Sequence, residues 1–261
     1  MFRSYKFAAL LMTVCLVGVG CAHWFGVAAD ALVPVEQENQ LGEEFEEELR
    51  QELDFSDDDV LVDYVRGLGE DIVAGVDERP DGIEIEFNLV DDPDMVNAFA
   101  IPGGGIYVYT GLLREMENEA ELTAVLGHEV AHVTRRHIAQ RLVAAFGAEA
   151  VTQMALGEEP GIVARLVSAV AQQGFMMTYS RSMERDADRW GVRYQVDAGY
   201  NPQGFITFFE KLQAQPSPPV FLSTHPPPEE RIENIQGHID DIGRVPSRLE
   251  EERFQEMRDR I

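Results

Sequence analysis

Cysteine is almost absent from this chain of 261 residues, and its two cysteines, Cys15 and Cys21, both lie close to the N-terminus. Beyond residue 21 the chain can therefore form neither a disulfide framework nor a thiolate metal site. Any metal ion held by the rest of the chain must be bound by histidine and carboxylate side chains.

Basic residues and long apolar runs are scarce as well. The chain has 21 basic against 47 acidic residues and a formal net charge of −26. A surface this negative repels phosphate groups, so we expect no nucleic-acid partner. No segment after residue 29 is long and apolar enough to cross a bilayer. With 45% apolar residues, the chain can still bury the core of one catalytic domain.

Residues 1–20 are typical of a bacterial export signal. A positively charged start is followed by an apolar run over residues 7–19, which is shorter than the roughly 20 residues that span a bilayer. The run ends at a small-residue pair before Cys21, as in a lipoprotein signal. We expect Cys21 to be lipidated, residues 21–35 to form a tether, and the protein to face the periplasm from the outer membrane. The alternative is an ordinary secretory signal and release into the periplasm.

Most of the remaining chain has the 3.6-residue periodicity of helices, and a short part alternates like strands. One strand is predicted over residues 83–89, and two short strands, 97–101 and 106–109, flank a glycine turn. We expect a proline-rich loop over 215–228 and a charged tail over 244–261. The pattern predicts a mostly α-helical α+β fold with helices over residues 36–50, 60–76, 118–155, 162–177, 183–198, 202–213 and 229–242.

The sequence His-Glu-Val-Ala-His occurs within an apolar helical stretch. His128 and His132 are four residues apart, so both imidazoles lie on one helix face and can reach the same ion. Zinc binds neutral imidazole nitrogen and leaves a position open for water in catalytic sites. Glu129 is then placed to take a proton from that water. We expect one Zn²⁺ per chain at these residues.

A third protein ligand must come from elsewhere in the chain. His137 follows His132 by five residues, about 140° around an uninterrupted helix, so we expect it to point away. Glu184 and Asp188 are four residues apart and share a helix face. Either carboxylate could bind the ion while the other orients a ligand imidazole.

Four motifs in this order resemble the gluzincin family that includes HtpX and the CAAX prenyl proteases, most of all its soluble periplasmic members. They are the 128–132 motif, the Glu184–Asp188 pair, Asn97-Ala98-Phe99 with its Pro-Gly-Gly, and Ser-Thr-His-Pro at residues 223–226. The resemblance implies a zincin-like metallopeptidase domain over residues 36–243, with a small sheet beside the active-site helix. HtpX and the CAAX proteases have several membrane-spanning helices, which we do not expect here. We likewise expect no C-terminal helical-repeat domain.

The resemblance also implies roles for single residues. Glu184 would be the third zinc ligand and Asp188 the residue that orients a ligand histidine. Asn97, Ala98 and Phe99 would form the edge to which a substrate strand adds. Arg231 resembles a positioning residue. His225 would lie near the zinc and either regulate it or stabilise the transition state; the other interpretation is a surface loop residue.

The function implied is a zinc-dependent endopeptidase that cleaves misfolded or unassembled proteins of the cell envelope. Its partners would be polypeptide substrates, the membrane that holds its lipid anchor, and an assembly or regulatory protein of the envelope. One alternative is a zinc-bearing, chaperone-like quality-control factor that rarely cuts. Another is zinc-dependent hydrolysis of a substrate other than a peptide.

Overall fold

The computed structural model of the protein describes residues 33–173, 178–225 and 230–261. The predicted export signal, the lipidation site at Cys21 and most of the predicted tether therefore lie outside the described residues.

Two N-terminal helices pack their apolar stripes into the core. Helix α1 spans Val35–Glu52 and buries Leu41, Phe45 and Leu49, which recur every four residues. Helix α2 spans Asp59–Ala74 and begins at Asp58, whose carboxylate accepts hydrogen bonds from two backbone amides of the first turn. Such an N-cap satisfies donors that the first turn leaves free. Both helices follow the predicted periodicity.

A three-stranded sheet follows, in the spatial order β1-β3-β2. Strand β1 is Glu86–Val90, β2 is Ala98–Ala100 and β3 is Gly105–Tyr109. Strands β2 and β3 pair antiparallel around a 3₁₀ turn at Pro102–Gly104, and β1 pairs parallel with β3. In that turn Gly104 has a φ of +107°, and a Cβ there would lie 2.1 Å from the carbonyl oxygen of Glu84. The predicted hairpin is confirmed. Strand β1 begins at Glu86, three residues after the predicted start at residue 83.

The core is built around one helix. After α3 (Thr110–Arg114), helix α4 spans Glu119–Thr134, and all of its side chains are buried. It packs between the sheet and the helices α2, α8 (Arg181–Asp197) and α9 (Gln203–Ala214). Helices α4 and α8 cross closely, since a Cβ at Gly127 would lie 2.9 Å from the carbonyl oxygen of Gly191. This close crossing brings α8 beside the 128–132 motif.

The single helix predicted over residues 118–155 is wrong. The structure has three helices there: α4, α5 (His137–Phe146) and α6 (Ala148–Ala155). The first break is at Arg136, which has a left-handed conformation with φ 54°, and the second is at Gly147 with φ 85°. Apolar periodicity continues through both breaks because each new helix again turns one face to the core.

The remaining helices are α7 (Pro160–Gln173), α10 (Val220–Thr224), α11 (Arg231–Ile242) and α12 (Glu251–Arg258). Helix α10 lies where a loop was predicted, and it forms because Phe221 and Leu222 are buried there. Helix α12 lies in the predicted charged tail and buries Phe254. Within the described ranges, no helix has the length and apolar content needed to cross a bilayer. The predicted fold class, mostly helical α+β with a small sheet, is confirmed.

Candidate metal centre

Helix α4 brings two imidazoles together one turn apart. His128 and His132 are fully buried, and their Nε2 atoms lie 3.1 Å from each other. The spacing of four residues places both rings on the same helix face, as the sequence predicted.

Helix α8 brings a carboxylate to the same point. Ser180 caps this helix by accepting a hydrogen bond from the amide of Met183, which places Glu184 in the first turn. Glu184 is fully buried, with Oε1 3.5 Å from His132 Nε2 and Oε2 3.6 Å from His128 Nε2. The structure thus unites all three residues for which the sequence predicted metal binding.

A third imidazole, that of His225, completes the group. It follows α10 and is buried, with Nδ1 3.2 Å from His128 Nε2 and 3.1 Å from Glu184 Oε1. Ligand-type atoms of His128, His132, Glu184 and His225 all lie within 4.8 Å of one another. The interpretation of His225 as a surface loop residue is therefore wrong.

This group fits a zinc ion. Ligand atoms about 2.0–2.1 Å from zinc in a tetrahedron lie about 3.3 Å from each other. The separations of 3.1 to 3.6 Å between the two helix α4 imidazoles and the Glu184 carboxylate are close to that value. Imidazole nitrogen and carboxylate oxygen are also the ligand types that zinc sites use when thiolates are absent.

A buried ion-pair network supports these groups from behind. Asp188 Oδ1 lies 3.1 Å from His128 Nδ1, and Asp188 accepts two hydrogen bonds of 2.7 Å from Arg231. Arg231 Nη1 also lies 2.9 Å from Glu184 Oε2 and donates to the carbonyl of His225. The guanidinium of Arg231 therefore contacts the carboxylates of Asp188 and Glu184 and the backbone carbonyl of His225.

The electrostatic field of this network shifts several pKa values. Burial raises the pKa of Glu184 and Asp188, but the Arg231 guanidinium and the neighbouring imidazoles together outweigh it and hold both pKa values below the ordinary ones. Burial lowers the pKa of His128, but hydrogen bonds with Asp188 and Glu184 raise it to about 9. Burial lowers the pKa of His132 well below its ordinary value.

Glu129 lies beside this group but outside it. Its carboxylate is fully buried, and neither oxygen accepts a hydrogen bond from any residue that the structure describes. His225 Nε2 lies 3.4 Å from its Oε1. Burial raises the pKa of Glu129 above its ordinary value. A buried carboxylate without such a partner is costly unless a ligand uses it.

Two further residues near His132 had no predicted role. Tyr179 stacks on the His132 ring, with centroids 3.8 Å apart and an interplanar angle of 26°. His137, expected to point away, instead lies with its Nδ1 3.1 Å from His132 Nδ1. That expectation is wrong because it assumed an unbroken helix. The αL residue Arg136 turns His137 back toward its neighbour. No periodic signal in the sequence marks either contact.

The edge strand β2 packs against helix α4, which carries the 128–132 motif. The predicted edge residues Asn97, Ala98 and Phe99 lie in or directly before β2, whereas β3 is the central strand. The amide of Tyr109 donates to Asn97 and that of Ile101 to Gly105, so Ala98 and Ala100 direct their backbone groups away from β3. Among the described residues, no backbone hydrogen bond outside the sheet uses these groups of Ala98 or Ala100.

Comparisons with known proteins agree with this site. A family model described as Peptidase family M48 matches residues 63–239. The chain is 31% identical over 231 residues to the beta-barrel assembly-enhancing protease of Escherichia coli, covering 83% of this chain and 47% of that protein. It is 35% identical over 153 residues to the mitochondrial metalloendopeptidase OMA1 of Arabidopsis thaliana, covering 58% of this chain and 31% of that one. The chain thus spans less than half the length of these relatives. It belongs to peptidase family M48, a family of zinc-dependent metalloendopeptidases.

Proposed function

We propose that this chain is a zinc-dependent endopeptidase that cleaves misfolded or unassembled proteins of the bacterial cell envelope. The observation that carries the proposal is the convergence of His128, His132 and Glu184 on one point, beside the Glu129 carboxylate, which accepts no hydrogen bond from the described residues. The two Nε2 atoms and Glu184 Oε1 would hold the ion, and Asp188 would fix His128 through its Nδ1.

Bound zinc would polarise the attacking water and the scissile carbonyl. Glu129 takes a proton from that water and passes it to the leaving amine. Its burial raises its pKa, and a carboxylate shifted toward the working pH is better suited to both proton transfers. Arg231, together with the neighbouring imidazoles, keeps Glu184 and Asp188 ionised, so that Glu184 stays a ligand and Asp188 stays an acceptor for His128.

The outer edge of β2 supplies a place for the substrate once the part of the chain that buries Ala98 and Ala100 moves aside. An extended peptide that pairs with Ala98 and Ala100 would add a fourth strand, with backbone hydrogen bonds that do not depend on its side chains. Such recognition suits unfolded segments of many sequences. Folded proteins lack an extended free backbone, so a preference for misfolded or unassembled chains follows.

His225 closes the site in this arrangement. Its Nδ1 lies 3.2 Å from His128 Nε2 and 3.1 Å from Glu184 Oε1, so it would be a fourth ligand of a bound zinc ion. The attacking water needs that same position. We therefore infer low resting activity and a displacement of His225 during catalysis. If His225 instead stabilises the transition state, then its removal should slow cleavage rather than speed it.

The test of the function compares Glu129→Gln with the matched variant Glu210→Gln on the exposed face of α9, using casein as the substrate. We expect Glu129→Gln to keep its fold and zinc and to lose cleavage by at least about 10²-fold, while Glu210→Gln stays active. The same assay on His225→Ala should show faster cleavage than wild type. Full activity in Glu129→Gln, or no cleavage by either wild type or His225→Ala, would overturn the proposal.

A closed site also favours the second candidate function, an envelope factor that binds misfolded chains and rarely cuts. The two are separated in cells that lack the wild-type protein. If Glu129→Gln rescues those cells as well as wild type does, then binding is the function. If only wild type rescues them, then cleavage is.

The envelope location is part of the proposal. It is supported by the export signal of residues 1–20 and by the similarity to a protein named for beta-barrel assembly. We propose that Cys21 is lipidated and anchors the protein to the periplasmic face of the outer membrane, near an assembly or regulatory partner. Labelled palmitate should enter the wild-type protein and not Cys21→Ala; labelling of both would refute the anchor.

A further inference from the structure

The Nε2 atom of His132 lies toward His128, and its other ring nitrogen, Nδ1, contacts a further histidine, His137. The Nδ1 atoms of His132 and His137 lie 3.1 Å apart, and the two rings meet at 72° with centroids 5.0 Å apart. Both side chains are almost completely buried. This distance is that of a hydrogen bond, so one of the two nitrogens must carry the hydrogen atom.

The direction of this hydrogen bond follows from the metal centre. Bound zinc needs the lone pair of His132 Nε2, so the single hydrogen of that neutral ring must be on Nδ1. His132 Nδ1 therefore donates, and His137 Nδ1 accepts. His137 then carries its own hydrogen on Nε2, which points in the opposite direction.

A carboxylate lies on that opposite side of His137. His137 Nε2 is 3.4 Å from Asp186 Oδ2, and the same oxygen accepts a 2.9 Å hydrogen bond from Arg135 Nε. The Arg135 guanidinium in turn lies over the Trp190 ring, 5.2 Å from its centroid. Asp186 is thus held in place to accept the Nε2 hydrogen of His137 and to fix its tautomer.

The break between α4 and α5 makes this contact. In a continuous helix His137 would lie about 140° away from His132. Arg136 adopts φ 54° and ends the helix instead, and its guanidinium forms a buried ion pair with Glu38 of α1. An αL conformation is unfavourable for a residue with a side chain, so this buried pair stabilises the break.

We propose that His137 is a positioning residue that accepts the Nδ1 hydrogen of His132 and, fixed by Asp186, orients His132 toward zinc. The proposal rests on the proposed function, because it takes His132 Nε2 as a zinc ligand. The two histidines would then have different acceptors. His128 uses the carboxylate of Asp188, whereas His132 uses the ring of His137, which lies between it and the Asp186 carboxylate.

The first test reads the tautomer directly in the zinc-loaded wild-type protein. Long-range proton–nitrogen NMR spectra distinguish the two ring nitrogens of each histidine, and the chain has six histidines. We expect His137 to carry its hydrogen on Nε2 and His132 to carry its hydrogen on Nδ1. A His137 ring with its hydrogen on Nδ1 would overturn the proposal, whatever the behaviour of any variant.

The second test measures zinc affinity by competition with a chelator. His137→Phe keeps a ring but removes the acceptor, and we expect about 10–100-fold weaker zinc binding. His137→Asn places a carbonyl oxygen on Cγ, where Nδ1 was, and should restore most of the affinity. Asp186→Asn, which no longer fixes the tautomer of His137, should fall between them. His238→Phe on α11 is the matched control and should bind zinc like wild type.

The outcomes separate this proposal from the proposed function. If His128→Ala binds zinc as tightly as wild type does, then the metal centre itself is wrong. If His128→Ala loses zinc while His137→Phe keeps wild-type affinity, then the metal centre stands and the role of His137 falls. Melting curves of the metal-free variants show whether a weaker affinity reflects lost folding, and an equal loss in His137→Phe and His137→Asn would also refute the role.

Discussion

Replacing Arg231 by methionine is the most informative perturbation of the buried charge network. Arg231 is fully buried, makes two 2.7 Å hydrogen bonds to Asp188 and lies 2.9 Å from Glu184. Methionine fills much of the same space without charge. Removing one partner of a buried ion pair typically costs about 3–5 kcal/mol, because the remaining charge has no compensation. We expect a loss of that size in the free energy of unfolding of the metal-free protein.

Zinc should reduce this loss. The buried carboxylates of Glu129, Glu184 and Asp188 surround the ligand group, and the two positive charges of zinc would offset part of what Arg231 supplied. Urea unfolding with and without a chelator measures both states. The thermal equivalent for the metal-free variant is a decrease in melting temperature on the order of 6–20 °C.

The matched control is Arg193→Met, which removes an exposed ion pair with Asp197 on α8. Exposed pairs of this kind contribute about 0–1 kcal/mol. Arg231→Lys should be intermediate, since a single ammonium cannot span both carboxylates as the planar guanidinium does. If the free energy of unfolding of metal-free Arg231→Met lies within about 1 kcal/mol of the wild-type value, then Arg231 does not compensate the buried charges of Asp188 and Glu184.

Two further predictions follow from the structure. Gly127→Ala places a Cβ 2.9 Å from a backbone oxygen of α8 and should separate the two ligand-bearing helices, lowering stability by about 1–3 kcal/mol together with zinc affinity. The control is Gly67→Ala on α2, where a Cβ meets nothing within 4 Å, and this change should stabilise the folded protein by about 0.5–1 kcal/mol. Urea unfolding and chelator competition of both variants measure stability and zinc affinity. The second concerns pH: burial lowers the pKa of His132 and His137 below the ordinary 6.5, so below that pH the unfolded metal-free chain binds protons that the folded chain does not. These two histidines should therefore lower stability as the pH drops below 6.5, by at most about 1.4 kcal/mol per pH unit for each, while the raised pKa values of His128 and Glu129 act in the opposite direction and reduce this loss. Urea midpoints that are equal at about pH 7 and about pH 5.5 would contradict this prediction.

Local geometry explains which parts of the site the sequence could predict. A spacing of four residues places His128 and His132 on one helix face wherever that helix lies in the fold. The same rule left Glu184 and Asp188 as equal candidates, and only the family resemblance separated them. The structure distinguishes them by position, because Glu184 lies beside the Nε2 atoms of both imidazoles, whereas Asp188 lies beside His128 Nδ1 and accepts hydrogen bonds from two nitrogens of Arg231.

The sequence by itself determined the helical character of the chain, the pair of histidines with Glu129 between them, and the restriction to nitrogen and oxygen ligands. These features depend on residue types and on spacings of a few residues. Only the tertiary structure decided that His225 joins the ligand group and that His137 turns back to His132. His225 depends on the end of α10 and on Arg231, which donates to its carbonyl, whereas His137 depends on the αL break at Arg136. No periodic pattern encodes either contact.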